Sequence, residues 1–172
     1  MTEKPKPRDL IRMSHDEVDA FIKTGRTALL ATQGPRGWPH VVPMWFGYFD
    51  GNIWFEAHSK SQKVLNVRRD NRVTVTLERG DTYDQLRGIS IDGEAEIVDD
   101  PETLWRIGVS EWERYHGPYH DGLRSEIESM LHRRVGIQVR PIKIRSWDHR
   151  KLNLPRSEVA GSTAPETHEA RS

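Results

Sequence analysis

The segment from His58 to Arg72 combines hydroxyl and cationic side chains at a predicted helix start. Ser59 and Ser61 supply the hydroxyls, and the cations are Lys60, Lys63, Arg68, Arg69 and Arg72. A helix N terminus directs free backbone N–H groups and a partial positive charge outward, which makes it a natural site for a phosphate group. The same composition is also typical of a solvated basic helix, so the segment alone leaves both interpretations open.

A second run of interest covers residues 40–46 and reads His-Val-Val-Pro-Met-Trp-Phe. A proline cannot donate to a β-ladder, so Pro43 predicts a bulge or an unpaired edge within a strand. An interrupted strand with aromatic and sulfur side chains can line a flat ring. The alternative is an ordinary strand of a barrel core.

Other catalytic patterns are weak or absent in the sequence. His116 and His120 have the spacing of a helical metal pair, but Gly117-Pro118 breaks the helix between them, so we predict no metal site. The chain contains no Gly-x-Ser-x-Gly, no Gly-x-Gly-x-x-Gly and no Walker loop. These absences argue against a serine hydrolase, a Rossmann fold and a P-loop enzyme.

Composition narrows the classes of partner. The 172 residues include 26 Lys and Arg and 26 Asp and Glu, so the net charge is zero and predicts neither nucleic acid nor membrane as a partner. The chain has no cysteine, which excludes disulfides, thiolate metal sites and cysteine nucleophiles. No run approaches 18 apolar residues and the first residues lack a signal-like apolar stretch, so we expect a cytoplasmic protein.

Hydrophobic periodicity predicts a strand-rich domain with peripheral helices. Ser14 and Glu17 form a capping box that opens a helix at 14–24, with Gly25 as its C-cap, and Asp50-Gly51 is a hairpin turn. The predicted strands are 26–33, 38–49, 52–57, 72–78, 86–98 and one that begins near 135. Further helices are predicted near 61–69, from Pro101, and at 123–132.

Six antiparallel strands with short connections favour a barrel, in a mainly β fold of the α+β class. A slip in the apolar alternation at Arg140-Pro141 predicts a bulge in the last strand, and the strand at 86–98 is expected to bend near Gly93. We predict a flexible arm at 1–13, one folded domain at 14–152 and a disordered tail at 153–172.

Taken in order, these motifs resemble the pyridoxamine-phosphate-oxidase-like split-barrel superfamily. The matching segments are 39–45, 50–55, 59–63, 66–73 and 86–96, and the resemblance covers residues 14–152. Within that superfamily the chain looks most similar to the actinobacterial flavin/deazaflavin oxidoreductases of the B type. Several of those enzymes use the deazaflavin coenzyme F-420.

The resemblance implies a six-stranded split β-barrel of the FMN-binding type. It also implies a homodimer with two cofactors at the subunit interface. The implied phosphate contacts are Ser61 and Lys63, with Ser59, Lys60 and Asn66 nearby. The implied ring contacts are Val42, Pro43, Met44 and Trp45, and further contacts come from Arg87 and Trp147.

The chain departs from pyridoxine phosphate oxidases at Val41, Phe46 and Gln62, where the resemblance places basic residues. We therefore predict an oxidoreductase that uses F-420 to transfer hydride to or from an organic substrate, rather than an authentic pyridoxine phosphate oxidase. His40 and Tyr83 are candidate proton donors, and Arg68, Arg69 and Arg72 suit the polyglutamyl tail of F-420. The alternatives are an FMN-dependent oxidoreductase and a non-catalytic binder of a cofactor or haem-like tetrapyrrole.

Overall fold

The computed structural model describes residues 7–157, in which seven strands form one curled antiparallel sheet. The strands are β1 (Ala28–Gln33), β2 (Pro39–Met44), β3 (Gly47–Phe49), β4 (Asn52–His58), β5 (Arg72–Arg79), β6 (Arg87–Val98) and β7 (Arg134–Asp148). The helices are α1 (Pro7–Leu10), α2 (His15–Lys23), α3 (Gln62–Arg69), α4 (Pro101–Tyr115) and α5 (Arg124–Met130). The strand order is β2-β1-β5-β6-β7-β4-β3, so β2 and β3 lie at opposite edges.

The curl of the sheet follows from the short connection between these two edge strands. Only Trp45 and Phe46 separate Met44 in β2 from Gly47 in β3, and three peptide units span at most about 11 Å. Seven strands laid flat would hold the two edges about 29 Å apart, since neighbouring strands are spaced about 4.8 Å. The sheet therefore bends into a half-barrel, in agreement with the predicted barrel.

The predicted count of six strands is wrong, because the predicted strand 38–49 is two strands. The chain leaves the sheet at Trp45, and Phe46 turns inward and is fully buried. Pro43 causes no interruption, since it stays in register opposite Leu29. An edge strand tolerates proline because the missing N–H faces away from the neighbouring strand.

The barrel core is built from alternating strand positions. Val73, Val75 and Leu77 of β5 are buried, as their spacing predicts. They pack in one cluster with residues that include Leu30 and Phe55. Full burial of such side chains contributes roughly 1.5–3 kcal/mol each.

Local signals at the ends of α2 are confirmed in part. The Ser14 backbone N–H donates to Glu17 Oε2 at 2.6 Å, and Glu17 N–H donates to Ser14 Oγ at 3.3 Å, so the capping box is present. Gly25 is not the C-cap; that position is Thr24. Gly25 instead allows close packing, because a Cβ there would lie 2.5 Å from Leu77 Cδ2.

The long hairpin of β6 and β7 carries the predicted bulge. Asp92 opposes Lys143 whereas Gly93 opposes Pro141, so Ile142 is the additional residue. The bulge lies beside the predicted Arg140-Pro141 step and next to the predicted bend at Gly93. A Cβ at Gly93 would lie 2.6 Å from the Arg140 carbonyl oxygen, which explains a glycine at this close approach.

The chain ends bear on the predicted domain limits. Residues 11–13, placed by prediction in a flexible arm, contact the end of β7: Met13 N–H donates to Ser146 Oγ at 3.0 Å, and Asp148 N–H donates to the Ile11 carbonyl at 2.7 Å. Residues 1–6 and 158–172 lie outside the described residues, so the predicted arm and tail stay predictions there. Across 7–157 no helix has the length and apolar character to cross a bilayer.

Candidate functional site

The start of α3 presents unsatisfied polar groups. Ser61 is its N-cap, with φ −69° and ψ 153°, but its side chain makes no capping hydrogen bond. Ser61 Oγ is nevertheless buried and has no hydrogen-bond partner among the described residues. The first N–H groups of any helix also lack intrahelical acceptors and carry partial positive charge. The Ser61 hydroxyl and the first N–H groups of α3 are therefore hydrogen-bond donors to which a phosphate group could supply the acceptor.

A cluster of three charged side chains lies beside this helix start. Arg134 Nη1 lies 3.1 Å from Glu56 Oε2, although within residues 7–157 Glu56 Oε2 has no partner in hydrogen-bonding geometry. Burial lowers the pKa of Lys63, the Arg134 charge lowers it further, and Glu56 opposes both effects. Burial raises the pKa of Glu56, against the attraction of Arg134 and Lys63. Lys63 and Glu56 are thus close enough to influence each other's ionisation.

Glu111 adds a second acidic group to this cluster, and the sequence analysis missed it. The residue is 4% exposed on α4, and its Oε1 is buried without a partner among the described residues. Burial, with repulsion from Glu56, raises the pKa of Glu111 to about 8. A glutamate on the apolar stripe of α4, in line with Ile107 and Gly108, is the signal that could have revealed it.

Asn66 anchors α3 to the sheet. Its side chain is fully buried, and its Nδ2 donates to Thr32 Oγ1 at 2.9 Å. Gln62 is exposed, but its Nε2 donates to Asn66 Oδ1 at 2.7 Å, so the glutamine amide is already hydrogen-bonded within the chain. Thr32 Oγ1 in turn lies 3.5 Å from His40 Nδ1. This network fixes the helix start relative to β1 and β2.

Trp45 lies against α4, one helical turn beyond Glu111. Its indole stacks on the Tyr115 ring, with centroids 4.1 Å apart and an interplanar angle of 10°. Tyr115 is held in place because its hydroxyl accepts from Phe46 N–H at 3.1 Å and donates to the Arg26 carbonyl at 2.6 Å. Trp45 is 52% exposed despite this stack, so part of the indole faces solvent.

The remaining predicted ring contacts do not share one face of β2. Val42 and Met44 are half-buried, together with His40, whereas Pro43 between them is exposed. Alternate residues of a strand point to opposite sides, so Pro43 and Val41 share the outer face with Leu29. The structure therefore groups His40, Val42 and Met44, and separates Pro43 from them.

The turn that precedes α3 holds the other two predicted phosphate-side residues. Ser59 N–H donates to the Arg133 carbonyl at 3.1 Å, and Lys60 N–H donates to His58 Nδ1 at 3.3 Å. The side chain of Lys60 is exposed.

Two of the three arginines predicted to suit the polyglutamyl tail of F-420 already bind other groups of this chain. Arg69 donates to the Gln33 carbonyl and to Asn66 Oδ1. Arg72 forms a two-fold contact with the Asp70 carboxylate at 2.9 and 2.6 Å. Arg68 is exposed.

Arg87 and Trp147 lie at the opposite end of the barrel from α3. Glu56 opposes Gly136, which opposes Val98 at the far end of β6, whereas Arg87 begins that strand. Twelve strand residues span about 36 Å along the strand. One chain therefore does not bring all the predicted contacts together.

The opposite end of the barrel has its own aromatic grouping. Trp147 packs over Gly88, where a Cβ would lie 2.4 Å from the indole. The centroid of the Tyr83 ring lies 4.4 Å from the centroid of the His149 ring. Of the two candidate proton donors, His40 therefore lies with the α3 groups and Tyr83 with Arg87 and Trp147.

Two hollows outside this region differ in character. A cavity of about 230 Å³ between α2 and the sheet is mainly apolar and contains none of the predicted site residues. A wider groove of about 690 Å³ crosses the outer face of the sheet, between Pro39 and Ile142. Ile142 is 69% exposed and Val41 is 52% exposed, so this outer face displays apolar side chains. Among the described residues no cluster of three or more metal-ligating side chains occurs.

Comparisons with known proteins agree with this architecture. The sequence model described as pyridoxamine 5'-phosphate oxidase matches residues 14–148. The crystal structure of a conserved hypothetical protein from Mycobacterium tuberculosis is 52% identical, has a TM-score of 0.89, and covers 93% of this chain and 100% of its own. An F-420 reductase is 27% identical with a TM-score of 0.56, covering 73% and 94%.

A more distant structure shows the fold alone. The haem storage protein of Vibrio cholerae is 17% identical, with a TM-score of 0.60, and the match covers 76% of this chain and 92% of that one. No curated protein matches this chain.

Proposed function

The chain belongs to the pyridoxamine 5'-phosphate oxidase family, and on that premise we propose that it is an oxidoreductase that binds coenzyme F-420 and transfers hydride to or from an organic substrate. The observation that carries the proposal is the start of α3, where Ser61 Oγ lies buried near Lys63 and finds no hydrogen-bond partner in the described part of the chain. Similarity to an F-420 reductase at 27% identity supports the choice of deazaflavin.

The local residues weigh against FMN. Phe46 is fully buried in the core, so this position offers no charge to a phosphate. The Gln62 amide is already bonded to Asn66. Lys63 is therefore the cation in the first turn of α3. Its single positive charge balances the one charge of a phosphodiester and would leave the second charge of a phosphate monoester unpaired in a partly buried site.

Each predicted contact has a proposed role. Ser61, Lys63 and the free N–H groups of α3 would hold the phosphate, with Ser59 and Lys60 at its edge and Asn66 fixing the helix. Val42, Met44 and Trp45 would contact the ring, and Pro43 would shape the strand. When bound, F-420 supplies the hydride chemistry, and this chain's residues orient it and exclude water. His40 lies on the inner side of β2 with Val42 and Met44, where it can hold a proton.

Arg87 and Trp147 enter the proposal through a second copy of the chain. Within one subunit, Arg87 and Trp147 lie about a strand length from Lys63. They can therefore contact the same cofactor as the start of α3 only if one subunit contributes Arg87 and Trp147 and its partner contributes Lys63. The exposed apolar face around Val41, Pro43 and Ile142 would be covered in such a homodimer. Tyr83, beside the Trp147 end, would then approach the site from the partner.

Fluorescence titration tests the choice of cofactor. The fluorescence of F-420 is expected to be quenched on binding, with micromolar or tighter affinity. FMN is expected to bind at least about tenfold more weakly, which is a difference of about 1.4 kcal/mol in binding free energy. Tight FMN binding without F-420 binding would instead identify an FMN-dependent enzyme. Binding of haem alone, with no oxidation of reduced F-420 by enones or quinones, would identify a non-catalytic carrier.

A mixing experiment tests the shared site. Lys63→Met and Arg87→Met homodimers are both expected to bind F-420 weakly. If the site is shared, each mixed dimer formed by unfolding and refolding the two together contains one intact site, because one subunit keeps Lys63 and the other keeps Arg87. High-affinity binding should therefore reappear in the mixture. A mixture that binds no better than its parents places both residues in the same subunit's site and contradicts the shared arrangement.

A further inference from the structure

Glu56 is an acidic residue where a phosphate-binding site would be expected to hold only cations. Its side chain is 13% exposed, and Arg134 Nη1 approaches its Oε2 to 3.1 Å. Lys63, in the first turn of α3, is close enough that its positive charge lowers the pKa of Glu56, against the effect of burial. A buried carboxylate in this position is unfavourable for an incoming anion, because like charges repel strongly when water is excluded.

We propose that Glu56 is a specificity-determining residue, which disfavours a doubly charged phosphate monoester and admits a singly charged phosphodiester. The proposal rests on the proposed function, since it assumes that the phosphate lies at the start of α3. It goes beyond that function by assigning the discrimination between FMN and F-420 to one side chain of β4, which the sequence motifs do not include.

The net charge around Glu56 is set by the charged groups that face it from the neighbouring elements. Lys63 of α3 and Arg134 of β7 are positive, and Glu111 of α4 is neutral below its pKa of about 8. Arg114, also on α4, is directed to the end of α2, where its Nη1 donates to three backbone carbonyls at 2.9–3.1 Å. The cluster therefore carries one net positive charge at neutral pH.

One net positive charge balances a single phosphate charge. A phosphodiester carries one negative charge, whereas a phosphate monoester carries nearly two above its second pKa of about 6. The first ligand leaves the partly buried cluster neutral, and the second leaves an unbalanced negative charge beside Glu56.

The test compares FMN, riboflavin and F-420 binding to Glu56→Gln at pH 7.5. FMN affinity is expected to rise about tenfold, F-420 affinity about threefold because it has half the phosphate charge, and riboflavin affinity not at all. Glu96→Gln is the matched control, because Glu96 is an exposed partner of Arg140 at 2.9 Å on the same sheet. Unchanged or weaker FMN binding to Glu56→Gln would overturn the proposal.

A second variant keeps the test decisive if Glu56→Gln folds poorly. Glu56→Ala also removes the carboxylate, so it is expected to raise FMN affinity about tenfold over wild type at pH 7.5. Wild-type FMN affinity in a folded Glu56→Ala protein would overturn the proposal. The wild-type F-420 titration reports separately on the proposed function: F-420 binding without any gain for FMN in either variant removes this inference and leaves that function intact.

Discussion

Wild-type protein is expected to lose on the order of 4 kcal/mol of its free energy of unfolding between about pH 5 and pH 9 because of Glu111. In the folded protein, burial and the Glu56 charge raise the pKa of this carboxyl group from 4.5 to about 8. Between those values the folded state keeps a proton that the unfolded state releases. The stabilisation is therefore complete below about pH 4.5 and is lost as pH rises through 8.

The measurement is urea unfolding at several pH values, with Glu111→Gln beside the wild type. Glutamine mimics the protonated carboxyl group, so the variant is expected to match wild-type stability near pH 5 and to exceed it at pH 9. Glu113→Gln is the control, because Glu113 lies on the same helix and is exposed. Parallel curves for wild type and Glu111→Gln would contradict the assignment of a buried, protonated Glu111.

The second large effect is expected at Lys63. Replacing it with methionine should weaken F-420 binding by about tenfold to a hundredfold, since a charge-assisted hydrogen bond contributes about 1.5–3 kcal/mol. Methionine keeps much of the apolar stem, so the fold should tolerate the change. Burial also lowers the pKa of Lys63, so wild-type affinity should fall as the lysine loses its proton at high pH.

Fluorescence titration of Lys63→Met measures this loss. Lys23→Met is the matched control, because Lys23 is an exposed lysine on α2, paired with Asp19 at 2.7 Å and away from α3. Its affinity for F-420 should equal that of wild type. A Lys63→Met protein that binds within about threefold of wild type, with unchanged unfolding, would show that the phosphate lies elsewhere.

Much of the fold could be predicted from local patterns. The capping box at Ser14, the Asp50-Gly51 turn and the alternation of β5 involve residues close in sequence, whose geometry depends little on distant contacts. The strand count could not be predicted in this way. The break at Trp45 arises because the Phe46 side chain is buried in the core and its N–H donates to the hydroxyl of Tyr115, which lies far along the chain.

The candidate site divides along the same line. The sequence by itself determined the start of α3, because a helix N-cap with a neighbouring lysine is a local feature of Ser61 and Lys63. Only the tertiary structure decided which groups surround that start, since Glu56, Glu111 and Arg134 come from three other elements. It also decided that Asn66 anchors the helix and that Arg87 lies at the other end of the barrel. Burial and charge balance depend on what packs around a group, and packing between distant segments is set by the whole fold rather than by spacing along the chain.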